Sequence, residues 1–233
     1  MKDLKSILKE CSIKEIYCDN HGAPITYVIP IYQRNYAWEQ DEICALIKDV
    51  HDSMDMGKTV YYIGTLVTYK RDENKYEVID GQQRLTTIYI ILSALGEHDI
   101  YNRLTYSARK ASASTIEALS GRGEKEDLSE MPDLGIKNGF ESAKAGLNEI
   151  VGLAQTDVDK FKEYFLNRVH IIHYRVPKDV DLNHYFEVMN SRGEQLEKHE
   201  IVKAKLSEQF IGDNTSMEKF SRIWEACSDM CFY

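Results

Sequence analysis

Disulfide pairing and long apolar runs are both missing from this chain. The five cysteines are odd in number and form no CxxC pair (Cys11, Cys18, Cys44, Cys227 and Cys231). This usage is typical of reduced thiols in a cytoplasmic protein. No apolar run approaches the roughly 20 residues that span a bilayer, and charged residues near the N-terminus exclude a secretory signal. The sequence therefore predicts a cytoplasmic protein without a membrane partner.

Positive charge is also scarce. The chain has 29 lysines and arginines against 38 aspartates and glutamates, which gives a net charge of −9. Such a surface as a whole repels a polyphosphate backbone. DNA binding by this chain alone would therefore need a local basic patch, a metal ion or a partner domain.

Several common functional motifs are absent as well. There is neither a GxxxxGK[ST] loop nor a GxGxxG turn, so neither a P-loop nor a Rossmann site is supported. His170 and His173 lie three residues apart on a predicted strand, which puts them on opposite faces and prevents them from sharing one metal ion. His199 and Glu200 lack the second histidine of a zincin helix.

Hydrophobic periodicity predicts an α/β (α+β) protein in three parts. Residues 1–97 form a compact α/β unit, residues 98–136 a polar, flexible insertion, and residues 137–233 a mainly helical part. The first unit is predicted to begin with a helix carrying Leu4, Ile7, Leu8 and Cys11. An edge strand or strand end follows at 25–32, interrupted by Pro30. The rest of the unit is predicted to be a helix around 43–50, a hairpin of strands 61–69 and 75–80, and a helix from 85 onward.

The last part is predicted to contain helices around 140–151 and 161–165 and a strand over 169–176 that stops at Pro177. Two further helices are expected near 182–190 and 197–210. A helix over 220–227 continues almost to Tyr233 without a glycine cap or a polar tail. We therefore expect the chain to be part of a longer protein.

The most informative stretch runs from Asp80 to Thr87, where a β-prone segment breaks at Asp-Gly and an apolar helical pattern begins. The first turn of a helix presents unpaired N–H groups and the positive end of its dipole, which suits a phosphate group. Gly81 permits a positive φ and a close approach of a ligand to the backbone. Arg84 can grip phosphate oxygens, Asp80 can hold Mg²⁺, and Gln82 or Gln83 can orient a water or read a base edge. The alternative is an ordinary Asp-Gly turn followed by an exposed first helical turn.

Two other segments carry arginine in a suggestive setting. The first, residues 30–38, combines Gln33 and Arg34 with three aromatic residues, and arginine beside aromatics can stack a base and hold its phosphates. Its alternative is that the aromatics cover an edge of the core while Arg34 pairs with an acid. The second, residues 185–196, places Asn190 and Arg192 at a helix end before Gly193; its alternative is a glycine stop with a solvated arginine.

Taken together, the three segments resemble one family. The order is Ile-Pro-x-Tyr-Gln-Arg-x-Tyr-x-Trp, then Tyr-Tyr-Ile-Gly-x-Leu-Val with Val-Ile-Asp-Gly-Gln-Gln-Arg-Leu-Thr-Thr, then Phe-x-x-x-Asn-x-Arg-Gly-x-x-Leu. This pattern is similar to the ParB-like N-terminal domain of GmrSD-type, modification-dependent restriction enzymes and related phage-defence proteins. The similarity runs from about residue 29 to 206, and nothing in 98–136 contributes to it.

The resemblance implies a fold akin to the ParB/sulfiredoxin group, with a mainly helical C-terminal half, and a module that binds and hydrolyses a nucleoside triphosphate. The residues from Asp80 to Arg84 match the nucleotide motif of this family. From the chemistry of their side chains we expect Asp80, Gln83 and Arg84 to be catalytic, with Asp80 supporting Mg²⁺ or a water. The residues that the resemblance implies for nucleotide binding are Gln33, Arg34, Gly81, Gln82, Arg84, Thr86, Asn190, Arg192 and Gly193. Arg84 and Arg34 are expected to neutralise phosphate charge.

Members of this family commonly carry a C-terminal His-Asn-His nuclease domain, and nothing in residues 1–233 supplies its metal ligands. DNA cleavage is therefore expected in a missing C-terminal domain or a partner, and DNA is expected to be bound through the full-length protein. Two alternatives remain at this point. One is a ParB-like nuclease that acts through Asp80 and a divalent metal, and the other is a non-enzymatic sensor of nucleotide or modified DNA.

Overall fold

A computed structural model describes residues 7–19, 22–119, 132–178, 180, 202–203, 206, 210 and 214–229. The strands in these ranges are β1 (Leu8–Ser12), β2 (Thr26–Ile29), β3 (Tyr61–Lys70), β4 (Lys75–Asp80), β5 (Leu104–Tyr106) and β6 (Val169–Val176). The helices are α1 (Ile13–Ile16), α2 (Gln40–Asp55), α3 (Gln82–Ala94), α4 (Lys110–Leu119), α5 (Leu134–Gly146), α6 (Gln155–Arg168) and α7 (Asn214–Asp229). A π-helical turn, Leu147–Val151, continues α5. No helix in the described ranges is both long and apolar enough to cross a membrane.

The strands form one mixed sheet in the order β1-β6-β3-β4-β2-β5. The pairs β1–β6 and β3–β4 are antiparallel, whereas β6–β3, β4–β2 and β2–β5 are parallel. A mixed sheet combined with helices confirms the predicted α/β class. The predicted β3–β4 hairpin is confirmed, and so is the strand at 169–176.

The main core lies between one face of the sheet and the helices. Fully buried sheet residues such as Tyr27, Leu66 and Val78 pack in one cluster with helix residues such as Ile47 and Phe161. A smaller apolar cluster on the opposite face contains Val67, Ile79 and Val176, with Tyr32, Tyr69, Tyr174 and Val180 packed against it. The β3–β4–α3 connection runs through the middle of this arrangement, because β3 and β4 are the two central strands.

The predicted opening helix does not extend over Leu8 and Cys11; Ile7 is helical, and residues 1–6 lie outside the described residues. Residues Leu8–Ser12 form β1, which pairs with His170–Tyr174 of β6, and α1 begins at Ile13. The apolar spacing of the segment suited a helix, but hydrogen bonding to a strand about 160 residues away overrides so weak a local preference. β2 is also not at an edge, since it lies between β4 and β5, although it does end just before Pro30.

Part of the segment 98–136, expected to be flexible, has regular structure. β5 pairs with β2, and α4 buries Ser112, Thr115 and Ile116. The small polar residues of α4 hid its helical period, because they pack closely instead of forming a conspicuous apolar stripe. Strand β6, which belongs to the third predicted part, lies between β1 and β3 in the same sheet. The helices predicted at 182–190 and 197–210 lie outside the described residues, apart from isolated positions.

Candidate functional site

The β4–α3 turn is built around a glycine in the left-handed region. Asp80 is the last residue of β4, Gly81 is the N-cap of α3 with φ 89° and ψ 15°, and Gln82 starts the helix. A Cβ atom on Gly81 would lie 2.8 Å from the carbonyl oxygen of Thr65 in β3. Only glycine fits here without displacement, because both the backbone conformation and the available space exclude a side chain.

Arg84 lies in the first turn of α3 and folds back over β3. Its Nη1 donates to the carbonyl oxygen of Thr65 at 2.7 Å, and a Cβ atom on Gly64 would lie 2.5 Å from the same nitrogen. Gly64 has φ +114°. A guanidinium has five N–H donors, so this single anchor fixes its position and leaves donors for an anionic ligand. Arg84 forms no ion pair with another described residue.

The loop 33–37 is held against α3 by the two glutamines of the turn. Gln82 Nε2 donates to the carbonyl oxygen of Arg34 at 3.1 Å. Gln83 Nε2 donates to the carbonyl oxygen of Asn35 at 2.8 Å, and its Oε1 accepts from the N–H of Ala37 at 2.9 Å. The first two predicted segments, which are separated by about 45 residues in sequence, therefore meet at the start of one helix.

These contacts change the interpretation of Gln83. The side chain is only 8% exposed, and both its amide atoms are bonded to the backbone of the loop. The structure therefore gives Gln83 a bracing role and does not support the predicted catalytic one. Gln82 is 4% exposed, with its Oε1 buried and without a hydrogen-bond partner among the described residues.

Gln33 is a second brace on the opposite side of the loop. Its Nε2 donates to the carbonyl oxygen of Ile79 at 2.7 Å, and the residue is 5% exposed. Arg109 holds the same loop from the next layer, because its Nη2 donates to the carbonyl oxygens of Gln33 and Ile31. Sequence reasoning missed Arg109, which lies just before α4 in the segment expected to be flexible. A lone arginine in a polar stretch gives no signal of burial.

Arg34 and Asp80 are the two other charged groups of these segments, besides Arg84. The side chain of Arg34 is exposed and forms no ion pair with any described residue, so its predicted alternative of pairing with an acid is not observed. Asp80 is half-buried at the end of β4. Gln82, the first residue of α3, donates to the carbonyl oxygen of Arg34, so the backbone of Arg34 lies beside the start of this helix.

The aromatic residues of the first segment mostly fill the protein interior. Tyr36 is 4% exposed in the main core, where its hydroxyl lies 2.8 Å from Thr87 Oγ1, and Trp38 packs against that core. Burial raises the pKa of Tyr36 to about 12, so its hydroxyl stays protonated at neutral pH. Tyr32 packs on the opposite face and donates to Glu77 Oε1 at 2.8 Å. The alternative that these aromatics cover the core is thus correct for Tyr36 and Trp38.

Thr86 is also buried. It has no exposed surface, and its Oγ1 lies 2.9 Å from the hydroxyl of Tyr106 in β5. The structure thus assigns Thr86 to the contact between α3 and β5 and leaves it no accessible surface for the predicted nucleotide contact. The third predicted segment, with Asn190, Arg192 and Gly193, lies outside the described residues. Within the described part of the chain, no group of three or more His, Cys, Asp and Glu residues could hold a metal ion.

The site therefore combines a glycine-initiated helix start, an arginine anchored over a second glycine and an exposed arginine on a braced loop. A comparison with curated proteins finds no match. A comparison with protein-family models finds the GmrSD restriction endonuclease N-terminal domain over residues 13–207, which cover both described segments of the site. The chain thus belongs to the family of GmrSD restriction endonuclease N-terminal domains, which makes it a protein of DNA restriction and phage defence.

Proposed function

We propose that this chain binds a nucleoside triphosphate at the β4–α3 turn and hydrolyses it, as the regulatory module of a restriction protein that acts on modified DNA. The observation that carries the proposal is the position of Arg84. Its guanidinium is anchored to the carbonyl of Thr65, one turn into a helix whose start is a left-handed glycine. A cation fixed beside a helix N-terminus matches the charge and donor geometry of a phosphate group.

The helix start supplies the uncharged part of the phosphate cradle. α3 is 13 residues long, has no acidic residue in its first turn, and has no side chain on its N-cap residue Gly81. The first N–H groups of a helix have no partner within the helix, and its dipole favours negative charge. An acidic first turn would have competed with phosphate for these groups, so its absence from α3 supports anion binding.

Arg34 supplies a second cation at the rim of this cradle. Its side chain is exposed, and its carbonyl is held by Gln82. The loop that carries it is braced by Gln83 and Gln33. A preorganised loop binds a ligand with less loss of conformational entropy than a mobile one. In this proposal the glutamines position the arginines, and Asn190 and Arg192 complete the pocket as the family pattern implies.

Hydrolysis would proceed by attack of a water oxygen on the γ-phosphorus. The bond between that phosphorus and the β–γ bridging oxygen breaks, which yields a nucleoside diphosphate and inorganic phosphate. Arg84 and Arg34 would stabilise the charge that develops on the phosphoryl oxygens. Asp80, half-buried beside Gly81, would orient the attacking water.

The residues at the turn also fit a magnesium ion. Mg²⁺ is commonly bound by one or two carboxylates together with substrate phosphates and water, and Asp80 ends β4 directly beside the helix start where the phosphates would lie. When bound, Mg²⁺ would neutralise charge on the phosphate oxygens. The proposal also includes a cytoplasmic location, DNA as a partner of the longer protein, and a nuclease domain or partner that cuts it.

The test is phosphate release from ATP and GTP by the purified chain with Mg²⁺, together with nucleotide affinity measured by calorimetry. Arg84→Ala should weaken nucleotide binding at least tenfold, since a hydrogen bond to a charged group contributes about 1.5–3 kcal/mol. Arg168→Ala removes an exposed arginine at the end of α6 and serves as the matched control. If Arg84→Ala turns over nucleotide like the control, the site is wrong. Binding without phosphate release would make the chain a sensor.

A further inference from the structure

A diagonal row of cations, none of them ion-paired with a described residue, crosses three neighbouring strands of the sheet. Lys9 lies near the start of β1, Arg175 near the end of β6, and Lys70 at the end of β3. These three strands are neighbours in the order β1-β6-β3. In the strand register Lys70 is level with Tyr76, Arg175 with Thr68, and Lys9 with His173. Lys70 therefore lies about 13 Å along the strands from the level of Asp80, whereas Lys9 is close to that level but three strands away from β4. We call Lys9, Arg175 and Lys70 the basic row.

Contacts place the three cations on one face. Lys9 is opposite His173 in the β1–β6 register, and residues directly opposite each other point to the same face. Arg175 is two residues after His173 on β6, so Lys9 and Arg175 share that face. The guanidinium of Arg175 lies 5.1 Å from the ring centroid of Tyr76, and the ammonium of Lys70 lies 5.8 Å from the same centroid. Two of the cations therefore lie against one buried tyrosine ring, and the third is on β1, the strand next to β6.

The basic row is not neutralised by the carboxylates next to it. Glu10 follows Lys9 in sequence but points to the opposite face, where it accepts from His170 and Tyr62. Glu15 is occupied by the N–H of Ser12 in the capping box of α1. None of the three cations forms an ion pair with a described residue, and the Nε atom of Arg175 is buried without a hydrogen-bond partner among those residues.

Nearby groups respond to this concentration of positive charge. The pKa of His173 is lowered to about 3, mainly by burial and then by the charges of Arg175 and Lys9. The same two cations oppose the increase that burial causes in the pKa of the Cys11 thiol. The charges of Lys9 and Arg175 therefore stand without a third cation beneath them, and they make this part of the sheet locally positive in a chain whose net charge is −9.

We propose that the basic row binds the phosphodiester backbone of DNA. The charge is complementary, and the family acts in DNA restriction, so a DNA backbone is the anionic polymer that this surface is expected to meet. The acidic remainder of the chain restricts the contact to the basic row. The contact is independent of sequence, because lysine and arginine bound to phosphate oxygens read no base. It goes beyond the nucleotide site, because none of the three cations lies on β4 or α3, which form that site.

The test measures the affinity of the chain for a fluorescent 20-base-pair duplex by anisotropy at several NaCl concentrations. Three phosphate contacts predict a slope of log K against log salt of about −2.7, which corresponds to a loss of about 40-fold in affinity between 50 and 200 mM salt. Each of Lys9→Gln, Lys70→Gln and Arg175→Gln should reduce the steepness of the slope by about 0.9. Arg175→Lys keeps the charge and should retain the slope, which separates charge from packing.

The matched control is the triple variant Lys48→Gln, Lys144→Gln and Lys160→Gln. It removes the same number of charges from exposed lysines that pair with carboxylates on their own helices. It is compared with the basic-row variant, which combines Lys9→Gln, Lys70→Gln and Arg175→Gln. If the two triple variants weaken duplex binding equally, only net charge matters and the proposal is overturned. Absence of duplex binding at 20 mM salt, or binding to phosphatidylserine vesicles but not to the duplex, overturns it as well. The basic-row variant should release phosphate from nucleotide at the wild-type rate, so the outcome is independent of the proposed hydrolysis.

Discussion

Arg84 lies directly over Gly64, and the space for its guanidinium exists only because Gly64 has no side chain. The Nη1 atom of Arg84 would be 2.5 Å from a Cβ atom on Gly64. The same nitrogen donates to the carbonyl of the next residue, Thr65. Two distant parts of the sequence thus form one unit, in which β3 provides the floor and α3 provides the cation. Phosphate binding at the turn should depend on both parts.

Gly64→Ala should therefore impair nucleotide binding by displacing Arg84. The added methyl group cannot coexist with the observed position of Nη1, and a guanidinium that has lost its anchor at Thr65 binds phosphate with a larger entropic cost. We expect at least a fivefold weaker affinity for nucleotide, measured by calorimetry, in protein that remains folded by circular dichroism.

Gly152→Ala is the control for backbone strain. Gly152 has φ +100°, close to the +114° of Gly64, but a Cβ atom there would meet nothing within 4 Å. Both substitutions should lower the free energy of unfolding by about 1–3 kcal/mol, because each places a side chain at a positive φ. Equal nucleotide affinities for the two variants would show that Arg84 does not depend on Gly64.

The Asp80–Arg84 turn could be predicted from sequence because its signal is local. An Asp-Gly pair between a β-prone run and a helical run predicts a turn at that point. The helix that follows has unpaired N–H groups in its first turn, and these face the turn. Gly81 indeed has φ 89° at the N-cap. The family pattern predicts that this turn lies close to Gln33 and Arg34. The contacts that bring them together are the hydrogen bonds from Gln82 to the carbonyl of Arg34 and from Gln33 to the carbonyl of Ile79.

Burial and long-range pairing could not be predicted in the same way. Gln83 and Thr86 resemble exposed first-turn residues in sequence, yet the loop 33–37 and Tyr106 of β5 cover them. The strand Leu8–Ser12 depends on β6, whose residues come about 160 positions later. In each case the deciding partner is far away in sequence, so no local pattern contains the information.

Gln83→Leu tests whether this residue braces the loop or takes part in the reaction. Leucine has a similar volume but leaves the carbonyl of Asn35 and the N–H of Ala37 without their partners. The free energy of unfolding should fall by about 1–3 kcal/mol, the usual cost of unpaired buried polar groups. If phosphate release is observed for the wild type, KM should rise because the loop of Arg34 is loosened, whereas kcat should change less than threefold.

Gln155→Leu provides the comparison, because Gln155 is exposed and bonds only to Asp159 on its own helix among the described residues. It should leave both stability and KM unchanged. A large loss of kcat in Gln83→Leu with an unchanged KM would instead restore the catalytic role that the sequence pattern suggested.

Arg109→Met should loosen the same loop from the opposite side. The substitution removes the donors to the carbonyls of Ile31 and Gln33 in a residue that is 8% exposed. We expect the free energy of unfolding to fall by about 1.5–3 kcal/mol, as for other hydrogen bonds to a charged group. Hydrogen exchange followed by mass spectrometry should show faster exchange at residues 31–37 in Arg109→Met than in the wild type. The control is Arg103→Met, which changes a less buried arginine and should leave the exchange of these residues unchanged. Unchanged exchange in that loop would contradict a clamp.

His173 should make the protein less stable in mild acid. Burial, with the charges of Arg175 and Lys9, lowers its pKa from 6.5 to about 3. Between these values the unfolded chain binds a proton at this position and the folded chain does not. The free energy of unfolding should therefore fall as pH decreases from 6.5 towards 3, by at most about 1.4 kcal/mol per pH unit from this one residue.

His173→Gln isolates this contribution, because an amide can still bond to Thr68 Oγ1, which lies 2.8 Å from Nε2 of the histidine, but does not titrate. Urea unfolding at pH 7, 6, 5 and 4 measures the difference between the two proteins. The variant should be the less stable protein at pH 7, and the gap should narrow as pH falls, since only the wild type loses the histidine contribution. Parallel curves would mean that the histidine takes up its proton without unfolding, and that the cations above it do not keep it neutral.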